Sequence, residues 1–418
     1  MFFTIFLLIP CFLSIALSFA QVPDSSHNSI LVKTARIAIQ SQLAFDSLQA
    51  KEDQSVQIHY FDGLGRPLQE TDWKSSPLGQ DVVYFHRYDA LGREAVQYLP
   101  FVVEANGGII ADPLSAQSHF YDPAQFVQHA TSSHPFAVSQ FEPSPLNRVL
   151  EQGAAGAAWQ AHPQAASFGV QEAHEHTQLS EYLINDLAIP FLPPDAALGA
   201  GLSVSYPPGE LQVQRIQDEN GHWTETYVDK LGRTLISRVQ DGTYPDGSPA
   251  SYATTAYVYD LFDRVKYVIQ PEGWDQLETG SVSSLTQEFL DSYAFQYVYD
   301  GRGRATAKRV PGGGWVYMVY NKRDQVVFTQ DGAQRNRGEW SFTKYDILGR
   351  PMMTGLYHSS MNGSSASASA LQAQVEAHPL FEEKAHNSLP PDYSGEVVKG
   401  YTNQAFPLVD SLTEIHSL

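Results

Sequence analysis

The residues best equipped for chemistry in this chain are aspartates that recur four residues ahead of an arginine. They stand at Asp62, Asp89, Asp229, Asp260, Asp300 and Asp346, followed by Arg66, Arg93, Arg233, Arg264, Arg304 and Arg350. Two carboxylates facing one another across a sugar carry glycoside hydrolysis, one as acid and the other as base or nucleophile. A catalytic pair is normally unique in a chain. These aspartates repeat, and local turn chemistry accounts for each of them, so the sequence predicts no catalytic residue among them.

The other clusters are weaker. His174-Glu175-His176, with His162 upstream, has the look of a metal site, because two residues apart on a strand share a face. Zinc needs at least a third protein ligand, which nothing in the sequence places, so a solvated polar loop is the expectation and no metal site is predicted. Gly312-Gly313-Gly314 lacks the Lys-Ser or Lys-Thr of a phosphate loop, and neither GxSxG nor HExxH occurs. No cofactor is predicted. Trp73, Trp223, Trp274, Trp315 and Trp340 are candidates for stacking on sugars, although core or strand-end packing is the commoner role of Trp in a sheet.

The element that positions the aspartates is a hairpin. FDGLGR at Phe61–Arg66, YDALGR at Tyr88–Arg93 and VDKLGR at Val228–Arg233 are followed by YDLFDR at Tyr259–Arg264, YDGRGR at Tyr299–Arg304 and YDILGR at Tyr345–Arg350. A degraded copy, YNKRDQ, occupies Tyr320–Gln325. Short strand-like runs flank each copy. Asp opens a turn because its carboxylate accepts backbone N–H groups two residues on. Gly65, Gly92, Gly232, Gly303 and Gly349 then supply the positive φ that a type I turn with a bulge requires. Asp263 and Asp324 stand at that position in the other two copies, and Asp tolerates it better than most residues. The aromatic before the Asp is placed to cover a neighbouring hairpin, and the Arg to pair with its own or an adjacent turn. Isolated hairpins are unstable in water, so the copies must share a sheet. The predicted fold is all-β: antiparallel hairpin repeats in an extended curled sheet, or part of a hollow β-shell, with irregular insertions.

Composition narrows the setting. With 46 acidic against 26 basic residues the net charge is −20, which repels phosphate backbones, and nucleic acid is excluded as an expected partner. Residues 1–20 are an uncharged apolar run ending Ser18-Phe19-Ala20, which suits signal peptidase and leaves Gln21 as the new N-terminus. A retained anchor is the alternative for that run. The expectation is export to the cell surface or medium, with no membrane span after cleavage. Cys11 is the only cysteine and falls in this run, so neither disulfides nor a cysteine nucleophile are predicted in the mature chain.

Along the chain the sequence predicts a signal peptide at 1–20 and an N-terminal lead at 21–53, with a short helix near Gln40 to Leu48. Residues 54–209 hold the first two copies and an Ala-, His- and Pro-rich insertion, and 210–357 the main repeat block, with loops inserted at Asp241 to Pro249 and Pro271 to Asp291. Residues 358–418 form a loop-rich tail with a loop to Ala368 and a short helix at Ala370 to His378.

These copies resemble the YD repeats of RHS proteins, large exported repeat proteins of bacteria. HYFDGLGRPLQE at 59–70, FEPSPLNRVLEQGAAGAAW at 141–159 and PGGGWVYMVYNKRDQVVFTQDGAQRNRGEWSFTKYDILGRPM at 311–352 are similar to the N-terminal region of RHS proteins of Bacteroidota type, catalogued as a domain of unknown function. The resemblance runs over roughly residues 54–400. It implies that the repeats wind into a hollow shell enclosing a C-terminal effector, and that this chain is the leading part of such a wall, without the self-cleaving core segment or the effector. The implied partners are an enclosed effector or the remainder of the shell. An adhesin or carbohydrate-binding module that meets surface glycans is the other expectation. Turn residues that tolerate no change favour the scaffold; loss of binding on single Trp or Tyr substitution favours the adhesin.

Overall fold

The computed structural model of the chain describes residues 27–48, 50–105, 107–124, 130–161, 176–242, 251–358, 365–383, 397–398, 401–408 and 413–416. The predicted signal peptide, His162, His174, Glu175 and most of the loop from Asp241 to Pro249 lie outside the described residues. The fold is all-β, and the strand pairings described below are antiparallel throughout. The chain divides into two compact units, Met1–Glu181 with Arg215–Trp223, and Tyr182–Gln214 with Thr224–Leu418.

In the first unit, strand Asn28–Ala35 pairs with Gln54–Phe61 along its whole length, and that strand returns as Pro67–Asp72. Pro67–Asp72 pairs with Asp81–Arg87, which reaches both Val96–Tyr98 and Phe101–Val103. Val96–Tyr98 pairs with Phe136–Phe141, and this with Val149–Gly153. The alternation of apolar and polar residues in Gln54–Phe61 buries Val56, Ile58 and Tyr60 on one face, as a half-buried strand requires. The short helix of the lead is Gln42–Asp46, where the Ser41 side chain accepts the backbone N–H of Ala44.

The second unit is a meander in which each strand pairs with the next. Trp223–Val228, Thr234–Gln240, Tyr252–Tyr259, Val265–Ile269 and Ala294–Tyr299 follow one another. Ala305–Arg309, Trp315–Tyr320, Val326–Gln330, Glu339–Tyr345 and Pro351–His358 continue the series, and Thr413–His416 pairs with the last of them. At every repeat of this unit the register shifts at the residue before the turn residue, as between Val258 and Tyr259 or Val298 and Tyr299. One extra residue on the return strand raises the local twist there.

Helices cover one face of this meander. Between Val265–Ile269 and Ala294–Tyr299, where the sequence suggests an inserted loop, stand two helices, Pro271–Glu278 and Gln287–Tyr293. Pro271 is preset for the first helical turn, and Thr286 caps the second helix by accepting the N–H of Phe289. Their Trp274, Leu277, Phe289 and Leu290 pack with Ile236, Val258 and Ile269 of the strands. The expected tail helix, Ala370 to His378, instead spans Ser365–Ala377 and takes in the end of the expected loop, because alternating Ala and Ser carry helix propensity through a stretch that composition reads as loop. Its Leu371 and Val375 join Val319, Phe328, Trp340, Phe342 and Met353 in a second core. Fully burying each of these side chains contributes about 1.5–3 kcal/mol.

Candidate functional site: a series of coupled turns

All six Asp-Arg copies adopt one five-residue turn. In the first, the N–H of Asp62 donates to the carbonyl of Arg66 and the N–H of Gly65 to the carbonyl of Asp62. Asp62 Oδ1 accepts the N–H groups of Leu64 and Arg66 at 2.8 and 2.9 Å, and Oδ2 accepts Arg66 Nε at 2.7 Å. The same three bonds recur at Asp89, Asp229, Asp260, Asp300 and Asp346, for example 2.9, 3.0 and 2.7 Å at Asp300. Gly232 stands at φ 80°, a conformation that a Cβ would strain, and Asp263 and Asp324 hold the same place at φ 61° and 62°. In the degraded copy Asn321 Oδ1 takes the two backbone bonds, and its amide bonds Gln325 in place of the Asp-Arg pair.

Both carboxylate oxygens of each aspartate are therefore engaged within its own turn. The backbone N–H of the following Arg, with that residue's side chain, holds Asp62, Asp89 and Asp346 below the usual carboxylate range. At Asp260 and Asp300 burial pushes the carboxyl up, but the bonds from Arg264 and Arg304 outweigh it and the net direction is down. Internally saturated carboxylates suit a turn lock better than a proton carrier.

Five of the six turns are also tied to a successor. The guanidinium of Arg66 lies 4.3 Å from the ring centroid of Tyr88, the first residue of the next copy. Arg233 faces Tyr259 at 5.5 Å, Arg264 faces Tyr299 at 4.6 Å and Arg304 faces Tyr320 at 4.9 Å. Each of these tyrosines, and Tyr345 in the last copy, donates its hydroxyl back to the first residue of the preceding return strand. Tyr88 reaches the Pro67 carbonyl at 3.0 Å, Tyr259 that of Thr234 at 2.7 Å, and Tyr299, Tyr320 and Tyr345 those of Val265, Ala305 and Val326 at 2.8 Å. Burial raises the pKa of all five hydroxyls and keeps them protonated as donors. The arginines add forward bonds: Arg233 to Asp263 at 2.8 Å, Arg264 to the Asp300 carbonyl at 3.2 Å and Arg304 to Asp324 at 3.0 Å.

Three further turns of this kind escaped the search for Asp-Arg spacing. Ser76–Gln80 uses a serine, whose Oγ accepts the Gln80 N–H at 2.8 Å. Asp218–His222 repeats the Asp bonds with His in the Arg place. Glu142–Arg148 is two residues longer, with Asn147 at φ 54° and Arg148 Nε on Glu142 Oε2 at 2.9 Å. Arg93 stacks 4.7 Å from Phe141 and donates to the Glu142 carbonyl, so this turn succeeds the second copy. A search for Ser or Asp three residues before Gly finds the first two. The third needs the longer Glu and a longer loop read together.

The other candidates fall apart or lie apart. His176 bonds the Glu219 carbonyl at 3.2 Å, and among the described residues no three His, Cys, Asp or Glu side chains gather to hold a metal. Gly312 is a hairpin turn residue at φ 67° between Ala305–Arg309 and Trp315–Tyr320. Trp274 and Trp340 are fully buried and Trp223 nearly so, which removes them as sugar platforms. A cavity of about 630 Å³ opens beside helix Ser365–Ala377, lined by Trp315, Tyr317, Met318, Arg302, Gln372 and Glu376 among others. Among the described residues no helix is long and apolar enough to cross a membrane.

Comparison with known proteins gives the fold a relative. The crystal structure of TcdB2-TccC3-TEV matches 85% of this chain with a TM-score of 0.51 at 13% identity. This chain shares its fold with part of TcdB2-TccC3. It spans 14% of that structure's length. A Photorhabdus luminescens Tc holotoxin pore matches 80% of the chain and 14% of its own at 13% identity, with a TM-score of 0.47. Residues 33–171 match a family model described as Domain of unknown function (DUF6443). No curated protein matches the sequence.

Proposed function

We propose that this chain is an exported YD-repeat scaffold, a stretch of wall from an RHS-type shell of the Bacteroidota kind that encloses or presents an effector carried elsewhere. The observation that supports this reading is the coupling between successive turns. Five of the six Arg residues are spent on the aromatic residue that opens a following turn, so the repeats reinforce one another in series, and the turn aspartates are all engaged within their own turns. This coupling supports a structural role rather than an enzymatic one. The fold shared with TcdB2-TccC3 over a small share of that structure's length supports the place of such a segment within a larger assembly. The partners of this reading are the remainder of the shell and its cargo. The apolar run at 1–20 supports export with cleavage before Gln21, to the medium or the cell surface.

The test follows the native protein in its own cells. Fractionation and N-terminal sequencing are expected to find the chain outside the cytoplasm, beginning at Gln21, within a particle whose enclosed polypeptide resists protease until the wall is denatured. An intact 1–20 segment on a cytoplasmic chain would sink the export reading. Complete digestion of every associated polypeptide under native conditions would sink the enclosure.

A further inference from the structure

Strand Glu339–Tyr345 buries alternate residues, and the third of them after Trp340 and Phe342 is Lys344. A lysine in that position breaks the apolar pattern of its own face. Its side chain is 1% exposed, and the partner carboxylate of Glu382 is fully buried. Lys344 Nζ lies 2.7 Å from Glu382 Oε1 and 3.0 Å from Asn403 Oδ1. Glu382 also accepts Thr402 Oγ1 at 2.7 Å and the backbone N–H groups of Gln404 and Ala405 at 3.0 Å. Phe342 lies two residues before Lys344 on the same face, and Phe406, three residues after Asn403, packs 5.7 Å from both Phe328 and Tyr357 in the neighbouring apolar core.

A buried amine, a buried carboxylate and a partly buried primary amide thus share one site. We propose that Lys344 and Asn403 join as an intramolecular isopeptide bond, with Glu382 carrying the proton. A carbonyl bond is about 1.23 Å, so the Asn403 carbonyl carbon lies no farther than roughly 4.2 Å from Nζ, within about 1 Å of the roughly 3–3.5 Å of a near-attack pair. Burial lowers the pKa of Lys344, which favours the free amine that must attack. The Nζ lone pair adds to Cγ of Asn403, and the Cγ–Nδ2 bond breaks. Glu382 takes a proton from the attacking nitrogen and delivers it to the departing one. One ammonia leaves, one secondary amide forms, and no oxidant or co-reactant enters. The bond closes a loop whose ends are 59 residues apart in a chain whose single cysteine is Cys11. A cross-link of that span restricts the unfolded chain in the way a disulfide does.

The test is a tryptic digest of the full-length chain after denaturation, read by tandem mass spectrometry. The expected product is segment 338–384, uncut at Lys344, joined to segment 400–418 and about 17 Da lighter than the two together, the mass of one ammonia. Intact mass alone does not serve, because an N-terminal Gln21 that cyclises loses the same mass. Cleavage at Lys344 in all of the wild-type material, giving free 345–384 and free 400–418, overturns the proposal. Glu382→Gln preserves shape and is expected to leave the two segments unlinked; full linkage in that variant overturns the role of Glu382. Asn403→Ala keeps the ion pair, so it guards against misfolding: a folded N403A chain is expected to be cut at Lys344.

Discussion

The guanidinium of Arg304 sits 4.9 Å from the ring centroid of Tyr320, while the Tyr320 hydroxyl donates at 2.8 Å to the carbonyl of Ala305, the residue after that arginine. One tyrosine thus grips the preceding hairpin twice, through its face and through its tip. Removing only the tip, in Tyr320→Phe, leaves the ring in place and the Ala305 carbonyl without its donor. The expected cost is about 1 kcal/mol, measured by urea unfolding. An unchanged midpoint would mean that the hydroxyl bond does not couple the hairpins.

The glycine of the turn is required by backbone conformation alone at Gly232. A Cβ added there meets nothing within 4 Å, yet the residue stands at φ 80°. Gly232→Ala is expected to lose about 1–2 kcal/mol from left-handed strain without any clash. Gly232→Asn is expected to lose less, because Asp263 and Asp324 already occupy the equivalent positions and short polar side chains tolerate them. Equal losses for Ala and Asn would contradict this account.

The turns were legible in the sequence because their chemistry is local. Asp, Gly and Arg act within five residues, so their types and spacing carry the geometry. The links between turns were less legible, since Tyr299 reaches Val265 across 34 residues. One trace of them is present nonetheless. Phe61 and Val228 open their series of copies and are the two first residues that lack a hydroxyl. The helices over the second unit were hidden because Pro271 and the Ser- and Thr-rich segments before Thr286 read as loop, while tertiary burial of Trp274 and Phe289 decides the matter. Lys344 was invisible as a site because its partners Glu382 and Asn403 come from a tail with no pattern of its own.

Acid is expected to loosen the first unit at Glu142. The Arg148 side chain, then the Ser144 hydroxyl, hold its carboxyl down to about 2 from an ordinary 4.5. A carboxyl depressed in the folded state stabilises above its unfolded pKa, and that contribution disappears as the pH falls through the folded one. The melting temperature is therefore expected to drop between pH 4.5 and about 2, and Glu142→Gln to flatten part of that slope. Parallel wild-type and E142Q curves across this window would rule Glu142 out as a contributor.

Position in the series decides what an arginine is worth. Arg304 is 13% exposed and touches Asp300, Asp324, the Asn321 carbonyl and the Tyr320 ring. Arg350 makes the same bond to its own Asp346 but is 71% exposed and ends the run of copies. The own-turn bond is common to both, so their difference isolates the coupling to a successor. Arg304→Ala is expected to cost about 2–3 kcal/mol, because it strips charge-assisted bonds and a ring contact from a half-buried site. Arg350→Ala is expected to cost no more than about 1 kcal/mol, the ordinary worth of an exposed ion pair. Chemical unfolding of the two variants side by side decides the matter: equal losses would mean that each turn is stabilised by itself, and that the repeats are neighbours without being coupled.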